Sequence, residues 1–406
     1  VKQAQFPRGR AAVRPAVGGF VLETVAISIT DSCNLSCSHC GDYKTRSEGG
    51  HGSAGRQMGR RELSRLFSDI AKRGVGMITL SGGEPLLRPD LLSIIDDLGD
   101  AGLRCALLTN GTLLTRKFLE RLKAGGIVDH LRFSVEYPER VLRAAGSCHD
   151  AGAVFAAVRL TTGCGMKAGV NMTLLPDNMQ YALELARASA DSGAEFFRAV
   201  PLLPSGRAAN SRLPASFFAE CTAVALSLRA AFGTHPFSKG RGARGDGKPL
   251  SLSEAARFAC SCAGGSRTLS ISADGRAHIC AMIGLGGKDI YVTDRPLDEC
   301  LETLRRRRNR LQRMMFTRKQ SICTQCVFAT QCRGGCIAEW TAASRTAERP
   351  WCMVKCLAEA VKMHSRETPL MASAARELLD EYETSLLFNG PSPCVRALPL
   401  WTIRLD

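Results

Sequence analysis

The stretch "SITDSCNLSCSHCGDYK", residues 28–44, sets three cysteines on one short segment, Cys33, Cys37 and Cys40, with three and then two residues between them. It follows directly on "VAISIT" (25–30), whose β-branched, apolar character reads as a buried strand. Three thiols, not two or four, are an unusual number for a metal centre. A structural zinc site closes with four ligands, and a ferredoxin-type cluster is held by four cysteines. Three thiolates can ligate three irons of a [4Fe–4S] cube and leave the fourth iron open to a small molecule. The missing fourth thiol is then the binding position.

The rest of the chain gives that loop a frame. Its 406 residues are 45% hydrophobic and 6% aromatic, enough for two or three domains at about 150 residues each. The formal charge is +16. A basic balance suits nucleic acid, anionic membrane or acidic substrates, but the basic residues are spread out and no nucleic-acid motif with interleaved aromatics is present. The densest run, "RRRRNR" (305–310), falls within a helical pattern of Leu297, Leu301, Leu304, Leu311 and Met315 and reads as a solvated helix face. No apolar run approaches the roughly 20 residues of a membrane span, and the first residues do not resemble a signal peptide. Eighteen cysteines in such a chain point to metal in a reducing, cytoplasmic setting more than to disulfides.

From Val25 to about Pro204, strand-like and helix-like segments alternate. "VAISIT", "GMITL" (76–80), "LRCALLTN" (103–110), "DHLRFSV" (129–135), "AGVNMTLL" (168–175) and "EFFRAVPL" (195–202) read as buried parallel strands, with amphipathic helical patterns between them, several ending on Gly. The order predicts an α/β fold, a partial (β/α)6 TIM-like barrel. Active sites of such sheets lie at the carboxyl ends of the strands, where the three-cysteine loop sits. Residues 1–24 form an N-terminal extension and 25–233 the barrel. A Gly/Lys/Arg-rich connector (234–251) leads to a small cysteine-rich domain organised by metal (252–361), followed by a C-terminal helix and tail (362–406).

"CNLSCSHC" resembles the CxxxCxxC motif of the radical SAM superfamily, with His39 where that family carries an aromatic ring. The resemblance covers roughly Val25–Val361. It implies that S-adenosylmethionine chelates the open iron. The reduced cluster then cleaves it to methionine and a 5′-deoxyadenosyl radical, which abstracts a substrate hydrogen. "LSGGEPLLRPD" (80–90) resembles the family's GGEP segment. Gly82 and Gly83 would let the backbone approach a ligand closely, and Glu84, next to Pro85, would engage the methionyl ammonium. "LLTNGT" (107–112) resembles the third-strand end, with Asn110 facing the site. In "RFSVEYPE" (132–139), Ser134 carries over as a contact to SAM, while Glu136 and Tyr137 depart from the usual Asp and Gly. Arg207 is either a SAM contact or a cap on the barrel.

In the second domain, Cys262 is followed after twelve residues by Gly275 and after four more by Cys280. Then come Cys323, Cys326, Cys332 and Cys336 in Cx2Cx5Cx3C spacing, and Cys352 beyond. All seven positions resemble the SPASM domain. The resemblance implies two auxiliary [4Fe–4S] clusters, three in all with the SAM-binding one. Cys262, Cys280 and Cys336 would hold one, with Cys260 a candidate fourth ligand; Cys323, Cys326, Cys332 and Cys352 would hold the other. A zinc ribbon on Cys323 and Cys326 is the plainer alternative. Of the remaining cysteines, Cys148 and Cys356 are candidate hydrogen-atom donors, and the others suit small buried hydrophobes. No catalytic acid, base or nucleophile can be named.

The resemblance leaves the substrate open. SPASM proteins often mature peptides or proteins by oxidation, crosslinking or epimerisation, and the base rate favours a peptide here. The short stretch before the first strand lacks room for the leader-binding module that many such members carry, which favours a small-molecule dehydrogenase or epimerase in aminoglycoside, cyclitol or other natural-product biosynthesis. An electron donor such as flavodoxin or ferredoxin is expected as a partner, with neither nucleic acid nor membrane. An iron–sulfur scaffold without catalysis is disfavoured by the intact first motif.

Overall fold

The computed structural model describes residues 22–40, 56–136, 150–203, 205–214, 216–232, 267–280, 290–318 and 402–404. The six apolar runs become β1 (Thr24–Ser28), β2 (Met77–Ser81), β3 (Arg104–Thr109), β4 (Val128–Ser134), β5 (Lys167–Leu174) and β6 (Phe196–Pro201). Each pairs in parallel with the next. Between them run α1 (Arg60–Ala71), α2 (Leu91–Asp100), α3 (Arg116–Gly125), α4 (Ala151–Gly163) and α5 (Ala182–Asp191), with α6 (Phe217–Ala231) after β6. Local chemistry sets several of these helices. In α1, Leu63, Leu66, Phe67 and Ile70 fall on one face at helical spacing and are buried. In α3, Thr115 Oγ1 accepts the Phe118 amide at 3.3 Å, and Gly126, at φ 67°, ends the helix in the left-handed conformation that glycine adopts without penalty.

The strands have two different faces. Ile78, Leu80, Leu131, Phe133, Val170, Met172, Phe197 and Ala199 are buried in the hydrophobic core, whereas Thr79, Arg132, Ser134, Asn171 and Arg198 point the other way and are only partly buried. Two hydrogen bonds show that this second face is concave. Arg132 Nη2 on β4 reaches over β3 to Thr79 Oγ1 on β2 at 2.7 Å. The Arg207 amide, beyond β6, donates to the Cys40 carbonyl, beyond β1, at 3.1 Å. A flat sheet would hold those ends several strand spacings apart. The result is an α/β fold with the curvature of a partial barrel.

Three strands join that were not expected. β7 (Thr268–Ile271) adds in parallel to β1, β8 (Ala277–His278) pairs antiparallel with β7, and β9 (Thr402–Arg404) pairs antiparallel with β6. Among the described residues the sheet therefore has nine strands, not six, in the order β8-β7-β1-β2-β3-β4-β5-β6-β9. These strands span two to four residues, too short to carry a periodic signal. Helix α7 (Leu297–Arg318) buries Leu297, Leu301 and Leu304 as its pattern requires. Arg306 and Arg310 are exposed while Arg308 has its Nε buried, and Arg305 and Arg306 pair with Glu302 at 2.8 and 2.9 Å.

The connector at 234–251 lies outside the described residues, as do Tyr137, Cys148, His149, Cys260, Cys262, Cys323, Cys326, Cys332, Cys336, Cys352, Cys356 and Cys394. Among the described residues no helix is long and apolar enough to cross a membrane.

Candidate active site

The three-cysteine loop is docked onto the loop after β2 by backbone hydrogen bonds. The Gly83 amide donates to the Thr30 carbonyl and the Glu84 amide to the Ser32 carbonyl, both at 2.8 Å. The two glycines make that approach possible. A Cβ on Gly82, whose φ is +150°, would fall 2.3 Å from the Thr30 oxygen, and one on Gly83 would fall 2.2 Å from the Ser32 oxygen. Their smallness serves this backbone-to-backbone fit.

Glu84 is wholly buried. Its Oε1 accepts from the Leu86 amide at 3.0 Å and from Thr109 Oγ1 at 2.8 Å, and its Oε2 accepts from the Asn110 amide at 2.7 Å. Burial raises its pKa, partly offset by these three donors. The carboxylate thus bolts the end of β2 to the end of β3. Pro85, also buried, opens the single 3₁₀ turn Pro85–Leu87 that follows.

Asn110 joins the cysteine loop to the same brace. Its Nδ2 donates to Asn34 Oδ1 at 2.8 Å, its Oδ1 accepts from the Thr112 amide at 2.9 Å, and Asn34 Nδ2 donates to Thr112 Oγ1 at 2.8 Å. Asn34 stands between Cys33 and Cys37, so the loop is held at its middle as well as at its base. Arg88 adds a further tie. It donates to the carbonyls of Ile29 and Met58 and pairs with Asp90 at 2.7 Å.

Across the rim, His39 Nε2 lies 3.2 Å from Glu136 Oε1, with both side chains almost covered. Burial works against a charged imidazole there, but the neighbouring carboxylate outweighs it and the His39 pKa is raised. His39 Nδ1 is buried without a hydrogen-bond partner among the described residues. Ser134 ends β4 on the concave face, in register with Asn171 on β5, whose Oδ1 is likewise buried and unpartnered. Arg207 follows β6, its Nε and one Nη buried without partners while its amide holds Cys40.

Cys33, Cys37 and Cys40 are half-buried on this rim. Among the described residues no three ligating side chains converge as a single-ion site would require. A cubane makes no such demand, since each cysteine takes a different iron, and soft thiolates suit iron–sulfur chemistry. The trio at the carboxyl end of β1 fits such a cluster.

The sequence of residues 27–188 matches the radical SAM superfamily. Those residues form a radical SAM domain. Similar to the chain are an AdoMet-dependent heme synthase from Methanosarcina barkeri, 32% identical over 45% of this chain and 51% of that one, and a probable GTP 3′,8-cyclase from Methanococcus maripaludis, 33% identical over 29% and 38%. The chain spans about half the length, or less, of these curated relatives. Among solved structures, anSMEcpe with bound AdoMet aligns at a TM-score of 0.60 with 14% identity, covering 90% of this chain and 98% of that one. Streptococcus suis SuiB bound to precursor peptide SuiA aligns at 0.52 with 13% identity, covering 70% and 65%. At such identities these two show a shared fold.

The radical SAM domain therefore brings together Cys33, Cys37, Cys40, His39, Gly82, Gly83, Glu84, Pro85, Asn110 and Ser134 at one rim. Sequence reasoning missed Asn34, Arg88 and Thr109 and gave Glu136 no task. One signal was present: "NGT" after an apolar strand is an Asx-turn pattern, and Asn110 Oδ1 makes that turn to the Thr112 amide. Nothing local announced the pairing of His39 with Glu136 or of Glu84 with Thr109 and Asn110, which come from other strand ends.

Proposed function

We propose that the chain is a radical SAM enzyme in which Cys33, Cys37 and Cys40 hold a [4Fe–4S] cluster completed by S-adenosylmethionine. The observation that carries this is the anchoring of the three-cysteine loop to the Gly-Gly-Glu-Pro segment, at the carboxyl end of β1 in a radical SAM domain. When bound, the cluster supplies the electron that cleaves S-adenosylmethionine and starts hydrogen abstraction. The chain's own residues keep the loop in place through Glu84, Asn110 and Asn34, set His39 beside Glu136, and enclose the site within the barrel. Ser134 at the strand end is the contact we assign to S-adenosylmethionine.

Beyond the barrel, the Cys262-to-Cys352 spacing supports a SPASM domain with two auxiliary clusters and Cys260 as candidate extra ligand. Only Cys280 of that set lies among the described residues, half-buried two residues past β8. For the substrate, the similarity in sequence to proteins named for heme synthesis and GTP cyclisation favours a small molecule. Modification of a peptide, with oxidation, crosslinking or epimerisation as outcome, is the second reading, and the seven-cysteine spacing favours it. A flavodoxin or ferredoxin would supply the electron.

The test is iron and sulfide per chain after anaerobic reconstitution, alongside release of 5′-deoxyadenosine. Roughly 12 irons, falling to about 8 with loss of cleavage in a Cys33→Ala/Cys37→Ala/Cys40→Ala variant, is the expected result at four irons per cluster. About 4 irons in the unmodified chain, with zinc elsewhere, would sink the two auxiliary clusters. Iron content unchanged by the triple substitution would sink the first.

A further inference from the structure

The concave face of β4–β6 carries two arginines that nothing in the described chain neutralises. Arg132 on β4 has one hydrogen-bond partner, the neutral Thr79 hydroxyl at 2.7 Å. Arg198 on β6 has no hydrogen-bond or ion-pair partner among the described residues, and the Nε atoms of both guanidiniums are buried and unpartnered. Enclosure depresses both pKa values, that of Arg132 to about 10, with repulsion from Arg198 adding to the effect of burial. Neither arginine has an ion-pair partner among the described residues. Glu136, the acid further along the same face of β4, is taken by His39 at 3.2 Å.

The surroundings make a seat of this pair. β4 and β6 flank β5, so at roughly 4.8 Å per strand spacing the two backbones are about 10 Å apart. On β5 between them, Asn171 is in register with both Ser134 and Arg198. Below lies a floor of Phe196, Gly169 and His130, the last paired with Asp129 at 2.9 Å. The Phe196 ring meets the His130 ring edge-on at 5.3 Å, and it passes over Gly169, where a Cβ would come within 2.1 Å of the ring. Above is the rim with the three cysteines. A charge withdrawn from water is strongly unfavourable unless it is paired, and a second like charge on the same face compounds the cost. A planar guanidinium fork is also the side chain best matched to a carboxylate or phosphate.

We propose that Arg132 and Arg198 form the seat for an anionic group of the substrate, a carboxylate or phosphate, held inside the partial barrel below the three-cysteine rim. This deepens the radical SAM reading, on which it rests, by giving the substrate a charge and a place. The same chemistry could be offered by the methionyl carboxylate of S-adenosylmethionine, and the test separates the two sources.

Inorganic phosphate is the probe, bound to the reconstituted full chain by equilibrium dialysis at about 0.15 M salt, which screens the exposed basic surface. The expected result is about one phosphate per chain, retained at saturating S-adenosylmethionine. Affinity should fall roughly 10-fold or more in Arg198→Gln and in Arg132→Gln, as for other hydrogen bonds to charged groups. Displacement of phosphate by S-adenosylmethionine in the unmodified chain would overturn the proposal, as would unchanged affinity in the variants. Arg198→Met guards against a folding artefact. Without phosphate its melting temperature should equal or exceed that of the unmodified chain, and the rise caused by phosphate should vanish. A variant that fails to fold, or melts lower while keeping the phosphate response, would assign Arg198 a structural task and overturn the seat. Phosphate binding needs neither iron nor SAM cleavage, so its failure is distinct from failure of the radical SAM reading.

Discussion

The two halves of one curved sheet treat their polar groups in opposite ways. Around the ends of β1–β3, Glu84, Thr109, Asn110, Asn34 and Thr112 satisfy one another, and the Glu84 carboxylate alone accepts three hydrogen bonds. On the concave face of β4–β6, Arg132, Asn171 and Arg198 keep buried atoms with no partner among the described residues. Both halves have the same strand–helix units behind them and the same apolar core. Closed networks give rigidity, and open ones cost stability until something fills them. The first half is built to hold a loop still, and the second to receive a group brought from outside.

The largest effect should come from breaking the closed half at its centre. Glu84→Ala strands the Asn110 amide and the Thr109 hydroxyl in a buried site, and each unsatisfied group costs about 1–3 kcal/mol. A loss of roughly 3 kcal/mol or more in denaturant unfolding is expected, and a loss below about 1 kcal/mol would show that the brace is dispensable. Gly83→Ala drives a methyl into the Ser32 carbonyl and should cost about 1–3 kcal/mol as overpacking does. Its distinctive sign is reduced iron retention by the three-cysteine loop at equal folded fraction, measured by iron content after gel filtration. Asn34→Ala removes a link from an exposed residue and should cost about 1 kcal/mol or less, read as a small shift in melting temperature.

A site outside both halves provides the smallest effect and a control. Arg305 and Arg306 hold the Glu302 carboxyl down at about 2 on exposed α7. A carboxyl depressed in the folded chain stabilises above its ordinary pKa, and that contribution is lost as pH falls toward 2. Solvent screening keeps it below about 1 kcal/mol. Glu302→Gln should therefore leave stability at neutral pH nearly unchanged and slightly flatten the acid limb of the stability curve. A large change would mean that α7 is bound more tightly by charge than by Leu297, Leu301 and Leu304.

The sequence by itself determined the framework. Apolar runs of five or more residues marked β1–β6, helical spacing marked α1 and α7, and the cysteine trio could only lie on the loop after β1. These signals are local, since a strand or amphipathic helix is written in the periodicity of its own residues. What each polar residue does was decided by the tertiary structure. Glu84 braces the rim because the end of β3 brings Thr109 and Asn110 to it. Glu136 departs from the family pattern, yet it acquires His39 when the sheet curls. Arg132 and Arg198 stand 66 positions apart in the chain and share one concave face, two residues out of register across β5, only because the pairing and curvature of the sheet turn both inward. Partners chosen by register, curvature and burial come from distant segments, and no window of sequence contains them.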